Sequence, residues 1–342
     1  MRAHLLTTTA AVALLAATSA HAQNATWNTT PSSGDFNTAA NWTPATVPTG
    51  TAFFGASNIT SITFQPFITT SIGTMQFNPG APAYSFSTFP GLFTSISITG
   101  TGIVDGSSNA PTFIVNNQAS LFFRNGSTAG DAIIITTAGG LTAFADSATG
   151  GNARFITTAG GAFDITALSS GGMTAGSIEG AGTFSLGPNQ LTVGSNNLST
   201  TVSGVITGSG GSLIKIGTGT LTLSGTSTYT GATVVAGGTL FLTGDISPSS
   251  GVAVGPNATL AGTGTAPGVL VGGGTLALGL PIGIGTLNVA GNLVFTAAAT
   301  YLVGINAITA SQTNVTGIAA LNGATVQVID DKNITKRQVT PC

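Results

Sequence analysis

The side chains that could perform acid–base chemistry in this sequence are mainly carboxylates. Only 5% of the 342 residues are charged. Two carboxylates at a suitable separation can hydrolyse a glycosidic bond, with one acting as general acid. The carboxylates that precede the C-terminal tail are Asp35, Asp105, Asp131, Asp146, Asp164, Glu179 and Asp245.

Partners for other kinds of catalysis are scarce. Arg124 and Arg154 are the only basic residues near these carboxylates in the sequence. The two histidines, His4 and His21, lie at the N-terminus, and the single cysteine is Cys342. Serine and cysteine nucleophiles usually need a histidine base, and most zinc sites need histidine or cysteine. One cysteine also cannot form a disulfide within the chain.

Nucleotide and nucleic-acid binding are not expected either. The stretch GTGTLTL at 217–223 approaches the dinucleotide-binding pattern, but it lacks the third glycine and leads into a predicted strand. Seven Lys and Arg residues in the whole chain are too few for a nucleic-acid partner. We therefore predict no catalytic, cofactor-binding or metal-binding residue.

The first 22 residues are typical of a secretory signal peptide. Arg2 supplies a positive charge, residues 10–17 form a short apolar run, and Ala20-His21-Ala22 is a cleavage pattern. The alternative is a membrane anchor, but the run is too short to span a bilayer. The predicted mature chain begins at Gln23 and contains no histidine.

The elements that must position any functional residue are predicted from internal repetition. Residues 120–140 align with residues 141–161 at an offset of 21, which places Phe123 on Phe144. A weaker third copy places Gly151 on Gly172 and Phe163 on Phe184. Thr-Leu pairs recur further on, at Leu221, Leu240, Leu260 and Leu276. Such a period is typical of a solenoid, in which each repeat stacks on its neighbours.

The short alternating runs between glycines favour strands over helices. We therefore predict an all-β protein, a parallel β-solenoid with coils of about 20 residues, about 15 coils and a length of ~70 Å. Leu, Val, Ile and Phe would point inward, and Thr, Ser and Asn would form outward ladders. Glycines would allow φ > 0 at the bends. The alternative is an all-β sandwich, which does not explain the fixed offset.

This register gives a prediction for the carboxylates. It stacks Asp131 on Asn152, Asp146 on Ala167 and Asp164 on Ser185, so no two carboxylates share a column. Asp146 and Asp164 would be near neighbours only if their coil were short. We interpret these residues as solvated turn residues.

Two segments resemble a known family. Lys215 to Gly244, KIGTGTLTLSGTSTYTGATVVAGGTLFLTG, resembles the autotransporter-associated β-strand repeat. Thr26 to Asn58 resembles the N-terminal segment of large bacterial autotransporter passengers, and its Trp27 and Trp42 are predicted to cap the first coil rather than bind sugar. The resemblance implies a right-handed, pectin-lyase-like parallel β-helix exported across the outer membrane. It implies no catalytic residue.

The predicted organisation has five parts. They are a signal peptide at 1–22, a capping segment with the first coils at 23–119, 21-residue repeats at 120–187, autotransporter-type repeats at 188–329 and a charged tail at 330–342. Five charges appear in this tail, after a stretch from 246 to 329 that has none. A complete family member would continue into a C-terminal membrane barrel, so we expect a truncated or frame-shifted product, with a stand-alone secreted β-helix as the alternative.

The function that follows from this sequence is that of a non-enzymatic surface or extracellular passenger, serving in adhesion, as a stalk or in self-association. The expected partners are a host or neighbouring cell surface or a second copy, and an outer-membrane translocator not encoded here. Without that translocator the product would stay in the periplasm. The alternative function is a β-helix polysaccharide lyase or hydrolase.

Overall fold

The computed structural model describes residues 22–278, 284–330 and 333–339, with residues from 330 onward described as backbone only. The predicted signal peptide, except for its last residue, and Cys342 lie outside the described residues. Apart from one short 3₁₀ helix, Ala39–Asn41, the regular elements in the described residues are strands. The protein is therefore all-β, as predicted.

Strands are short because glycines and polar turns interrupt each run of alternating apolar and polar residues. Those of the first half are β1 Ala25–Trp27, β2 Trp42–Thr43, β3 Thr51–Phe54, β4 Ser61–Phe64, β5 Thr69–Phe77, β6 Ser85–Thr88, β7 Thr94–Asp105, β8 Thr112–Val115, β9 Ala119–Phe123, β10 Ile133–Thr136, β11 Leu141–Asp146, β12 Arg154–Thr157, β13 Ala162–Leu168, β14 Gly172–Ala175, β15 Ser177–Glu179 and β16 Thr183–Ser185.

The second half continues with the same kind of element. Its strands are β17 Gln190–Val193, β18 Thr200–Val202, β19 Val205–Thr207, β20 Ser212–Lys215, β21 Thr220–Leu223, β22 Thr233–Val235, β23 Gly238–Leu242, β24 Val252–Val254, β25 Ala258–Gly262, β26 Thr265–Val271, β27 Thr275–Ala277, β28 Thr286–Phe295, β29 Thr300–Ile305, β30 Gln312–Val315, β31 Ala319–Ala320, β32 Thr325–Asp330 and β33 Asn333–Val339.

These strands stack into a parallel solenoid with three faces. Face 2 is continuous: the sheet β4-β6-β8-β10-β12-β15 joins the sheet β18-β21-β23-β25-β27-β29-β32 through a bridge between Gly180 and Val202. Face 1 carries β9, β11, β13, β16 and β19 and then narrows to the bridges Thr226–Asp245–Thr265. The two halves therefore share one axis.

Face 3 shows the opposite change in width. In the middle of the first half it is a column of single bridges, Gly102–Thr128–Thr149, and from β14 it becomes the sheet β14-β17-β20-β22-β24-β26-β28-β30. Strands β5, β7, β26 and β28 are long because each bends across the corner from face 1 to face 3. The register shift between β5 and β7 and the one between β26 and β28 mark these bends.

The coils are fewer and longer than predicted. Face 2 contains 13 parallel strands, from β4 to β32, which define about 12 turns of about 22 residues. The stack is therefore ~58 Å long at ~4.8 Å per strand, not ~70 Å. The prediction of about 15 coils was wrong because several coils exceed the 21-residue offset, such as the 27 residues from Ser85 to Thr112.

The inward columns predicted from the repeats are present. Leu221, Leu240, Leu260 and Leu276 are paired from coil to coil and are buried. The rings of Phe123 and Phe144 stack with centroids 4.8 Å apart, and those of Phe163 and Phe184 lie 5.8 Å apart. Coil stacking buries these side chains between neighbours, which stabilises units too small to fold alone.

Outward hydroxyl ladders are also present, as predicted. On face 2 of the second half, one threonine per coil is paired with the next and stays half-buried. Hydroxyls can bond water without the repulsion that stacked like charges would cause. The members of this ladder are Thr220, Thr239, Thr259, Thr275, Thr300 and Thr325.

Glycines at the corner between face 2 and face 1 have a role that the sequence did not indicate. Gly204, Gly225, Gly244 and Gly264 do not have positive φ. A Cβ on Gly204 would collide with the carbonyl oxygen of Gly182, and a Cβ on each of the next three with the carbonyl of the preceding glycine in this column. These positions need glycine because the backbones of successive coils approach closely.

The first coil is closed by tryptophans, as predicted. Trp27 on β1 and Trp42 on β2 are 1% exposed, and their rings meet edge to face at 5.0 Å. Their indole N–H groups donate to the carbonyls of Ile59 and Phe36. Buried rings with satisfied N–H groups cover the apolar end of the stack.

At the other end, the parallel pairing stops where the charged tail begins. Strand β33 pairs with β32 in antiparallel fashion, unlike the strands before it on face 2. In the part of the chain that the structure describes, no helix is long and apolar enough to cross a membrane. The pectin-lyase-like classification and the right-handed sense stay predictions.

Two details of the predicted register were wrong. Asp146 lies opposite Leu168 rather than Ala167, because the pairing of β11 with β13 slips by one residue after Ala143. Gly172 does not stack on Gly151. Instead, the backbone N–H of Gly150 donates to Thr174 O on the adjacent coil, since the coil has gained residues beyond the 21-residue offset.

Candidate functional site

Four aspartates bond to backbone amides of their own coil. Asp35, Asp105, Asp164 and Asp245 each accept a hydrogen bond from the backbone N–H two residues later, at 2.7–2.9 Å. This is the geometry of Asx turns, in which the carboxylate replaces a backbone acceptor. The register places Asp164 opposite Ser185, as predicted.

The other three carboxylates bond to a neighbouring coil. Asn152 Nδ2 donates to Asp131 Oδ1 at 3.0 Å, which confirms the predicted stacking of these two residues. The backbone N–H of Asn125 donates to Asp146 Oδ2 at 2.9 Å. Glu179 forms an ion pair with Arg154. Each of the seven predicted carboxylates therefore has a local structural partner.

Asp146 and Asp164 are not near neighbours. Asp164 lies opposite Ala143, three residues before Asp146 on the adjacent coil. Three residues along a strand span ~10 Å, and the coil spacing adds to this distance. Among the described residues, no three His, Cys, Asp or Glu side chains are grouped so that they could hold a metal ion.

Lys215 is a charged residue in the core. It points inward from β20, between Val193 and Val235 of the adjacent coils, and is 1% exposed. Its Nζ donates to the carbonyls of Ile216, Gly217 and Gly237 at 2.6, 3.2 and 3.2 Å. Burial lowers the pKa of the ammonium to about 8. We interpret Lys215 as a structural residue, since nothing exposes its Nζ to a ligand.

The most unusual surface lies at the corner where face 2 leads into face 1. We call this surface the phenylalanine ledge, and it consists of the loop residues Phe67, Ile68, Phe89, Leu92 and Phe93. Phe67 and Phe93 are 72% and 68% exposed, and the other three are 37–42% exposed. Five large apolar side chains on two adjacent coils form a patch of the kind that marks an interaction site.

The backbone at Phe67 is unfavourable for a phenylalanine. Its φ is +61°, in the left-handed region that bulky residues rarely adopt. From the pairing of Thr69, Ser95, Ser120, Leu141 and Ala162, the equivalent positions on later coils are Phe93, Gln118, Gly139 and Gly160. The chain therefore uses glycine at this corner on two coils, and on the first it keeps an exposed phenylalanine at an energetic cost.

A groove of about 530 Å³ runs beside the ledge. It crosses four successive coils, so it lies along the solenoid axis. Phe67, Phe93 and Leu141 give it apolar walls, and hydroxyls face it from the start of the face 1 strands. The complete lining is Phe67, Ile68, Thr69, Phe93, Thr94, Ser95, Gln118, Ala119, Ser120, Gly139 and Leu141.

A second apolar surface, the aliphatic stripe, lies on the outside of face 3. It contains one aliphatic side chain per coil over six coils, and pairing between strands keeps these in one column. Leu270 is the most exposed member, at 46%. The members are Ile214, Val234, Ala253, Leu270, Val294 and Ala320.

Sequence reasoning missed the ledge and the stripe. The ledge lies in loops between repeats, where no periodicity exists to detect it. In the sequence the ledge corresponds to two short apolar loop segments that each contain a proline, QPFI at 65–68 and FPGLF at 89–93. The stripe could not be recognised in the sequence because its members alternate with the inward-pointing core residues of the same strands, so each strand reads as a continuous apolar run.

Comparison with known proteins agrees with the predicted resemblance. The passenger-associated-transport-repeat family matches residues 213–240, which run from β20 to β23. A 92-residue segment is 38% identical to the adhesin BmaC autotransporter of Brucella suis biovar 1 (strain 1330). That match covers 26% of this chain and 3% of the relative, so the chain spans only a small part of that protein's length. No solved structure matches the chain.

The matched repeat contributes one coil and part of the next, including Lys215 and the leucines Leu221 and Leu240 of the inward column. These two matches confirm the resemblance to an autotransporter passenger with β-strand repeats, and residues 213–240 match the passenger-associated-transport-repeat family.

Proposed function

We propose that this chain is an exported, non-enzymatic surface passenger that adheres through the phenylalanine ledge. The observation that carries the proposal is Phe67, which is 72% exposed in a backbone conformation suited to glycine. Neither core packing nor turn formation explains a phenylalanine there, whereas a binding role does.

The similarity to an autotransporter adhesin supports the same proposal. The relative is named as an adhesin, and the repeat family is described as passenger-associated. Export through the predicted signal peptide and display at the cell surface would place the ledge where it can contact a host or neighbouring cell.

The alternative function, a polysaccharide lyase or hydrolase, is less well supported. The carboxylates that such an enzyme would need are engaged in Asx turns, in a bond to Asn152, in a bond to the Asn125 amide and in the pair with Arg154. Incubating the chain with pectin and other uronic-acid polymers tests this alternative. Turnover that disappears in Asp146→Asn or Asp164→Asn would favour the enzyme.

Adhesion is tested with beads coated with the full chain and offered to a panel of bacterial and animal cells. We expect wild-type beads to attach to at least one cell type, and the double variant Phe67→Gly/Phe93→Gly to attach several-fold less. Ile308→Gly removes another large exposed apolar side chain, 90% exposed, and serves as the matched control. Equal attachment of all three proteins would contradict adhesion through the ledge.

Self-association is a second candidate function, favoured by the aliphatic stripe. Residues 246–329 contain no charge, so two copies packed stripe to stripe would meet no repulsion. Leu270→Asp introduces a charge at the most exposed member of the stripe. Sedimentation velocity of wild type and variant over a range of concentrations measures whether the chain self-associates. A concentration-dependent dimer that Leu270→Asp abolishes is expected, and a monomer at all concentrations would contradict it.

A further inference from the structure

The groove beside the ledge carries a hydroxyl at the same position on three successive coils. Thr69, Ser95 and Ser120 are paired on successive coils and form a hydroxyl ladder along one side. Phe67 and Phe93 occupy equivalent positions on the other side, two residues earlier in the chain. The first two coils of the groove therefore each present a phenylalanine and a hydroxyl, at a spacing of ~4.8 Å along the axis, and the third coil presents Gln118 and Ser120.

The residues that line the groove carry no charge, and the charged residue nearest to them in the sequence is Arg124, four residues after Ser120. The chain has no Asp, Glu, Lys, Arg or His between Asp35 and Asp105, and none of the residues lining the groove is charged. A charged ligand would lose hydration there and gain no opposite charge in return. The ligand class that fits is neutral.

We propose that this groove binds a neutral, linear oligosaccharide, an inference that rests on the proposed adhesive function of the ledge. Sugar rings combine apolar C–H faces with hydroxyl edges. The C–H faces can pack on Phe67 and Phe93, whose ring faces carry partial negative charge. The hydroxyl edges can exchange hydrogen bonds with Thr69, Ser95 and Ser120, since each hydroxyl both donates and accepts.

The shape of the groove supports a chain rather than a single sugar. It extends over four coils parallel to the solenoid axis, so a linear ligand can contact the two phenylalanines, the hydroxyl ladder and then Gln118 and Leu141 in succession. A purely apolar ligand such as an acyl chain is a poorer fit, because it would cover the hydroxyls of Ser95 and Ser120 and the amide of Gln118 without bonding them.

The proposal is tested by offering the full chain to an array of neutral, sulfated and uronic-acid oligosaccharides, followed by calorimetry with the best neutral ligand. We expect binding to neutral linear oligosaccharides that changes less than twofold between about 50 mM and about 500 mM salt. Phe67→Gly/Phe93→Gly should weaken binding at least tenfold, and Ser95→Ala/Ser120→Ala severalfold. Ile308→Gly and Thr259→Ala/Thr275→Ala, which alter surfaces away from the groove, should leave it unchanged.

The outcomes separate this inference from the adhesive function. Binding restricted to charged oligosaccharides overturns the inference. An affinity for neutral oligosaccharides that is the same in wild type and Phe67→Gly/Phe93→Gly overturns it as well. So does Phe67-dependent adhesion of beads to cells or to phosphatidylcholine vesicles without any oligosaccharide binding, although adhesion through the ledge then stands. Failure of wild-type beads to attach to any cell would overturn the adhesive function itself. Circular dichroism and thermal midpoints confirm that each variant is folded.

Discussion

The backbone N–H of Phe67 donates a hydrogen bond to the carbonyl of Phe93 on the next coil, which fixes the two phenylalanines side by side at one corner of the solenoid. Both rings remain mostly exposed. Two coils after Phe93 the same corner is formed by Gly139, whose φ of +74° is readily adopted by glycine. The fold can therefore make this corner without a phenylalanine.

Lys215 should make stability depend on pH. The folded pKa of about 8 lies below the ordinary value of 10.5, so the folded state releases the proton first as pH rises. The destabilisation caused by burying the ammonium is therefore fully present and independent of pH below about 8, and the free energy of unfolding rises between pH 8 and about 10.5 by up to about 3 kcal/mol. Lys215→Met should remove this rise, because methionine does not titrate.

Urea unfolding of wild type and Lys215→Met at pH 7.5, 9 and 10.5 measures this effect. Lys336→Met, which removes a lysine of the tail, is the control. The residues around Lys215, namely Ser177, Ile178, Val193, Gly194, Leu198, Thr200 and Leu221, contain no titratable group. A difference between wild type and Lys215→Met that stays constant over this range would show that the ammonium is not desolvated.

Asn41 should be essential for the N-terminal cap. Its side chain is fully buried, accepts hydrogen bonds from the backbone N–H groups of Ser32 and Ser33, and donates to Ser33 Oγ and to the carbonyl of Asp35. Asn41→Ala leaves buried polar groups without partners, at a cost of about 2 kcal/mol or more.

Because stability in a solenoid is local, hydrogen exchange is the appropriate measurement for Asn41→Ala. Exchange should accelerate in β1, β2 and β3 and stay unchanged in β21 and β23. Asn28→Ala, whose hydrogen bonds to Ala40 O and Thr43 Oγ1 lie at the surface, should have a smaller effect. Equal acceleration by both variants would contradict the role given to Asn41.

Gly225 should tolerate no side chain. A Cβ at this position would collide with the carbonyl oxygen of Gly204 on the adjacent coil. Gly225→Ala should destabilise the protein by about 1–3 kcal/mol, since the coils would have to move apart. Gly80→Ala is a useful comparison, because nothing lies within 4 Å of its Cβ, although its φ of +77° adds local strain.

Thermal unfolding of the two glycine variants distinguishes close approach from backbone conformation. We expect the larger loss in Gly225→Ala. If Gly80→Ala lost as much, positive φ rather than the contact between coils would be the dominant requirement for glycine in this chain.

The periodic part of the structure could be predicted from the sequence. Phe123 and Phe144, and the leucines from Leu221 to Leu276, occupy the predicted columns because inward positions repeat from coil to coil. The prediction failed where the offset changes. Asp146 and Gly172 were misplaced because a one-residue slip in β13 and a longer coil follow the second repeat.

The candidate site could not be predicted because it depends on departures from the repeat. The loops that hold Phe67 and Phe93 lie within coils of 24 and 27 residues, where alignment by a fixed offset of 21 is lost. Lys215 is different. In the sequence SLIK at 212–215 it stands two residues after the inward-pointing Leu213, so the alternation of side chains along a strand also puts Lys215 on the inner face. Its charge argued against that interpretation.

The most direct test of the whole account is one preparation of Phe67→Gly, examined for both stability and adhesion. Glycine at φ +61° removes backbone strain, so the thermal midpoint should stay equal to that of wild type or rise slightly, while attachment of coated beads to cells falls severalfold. A lower thermal midpoint with unchanged attachment would show that Phe67 serves the fold rather than binding, and would contradict the account.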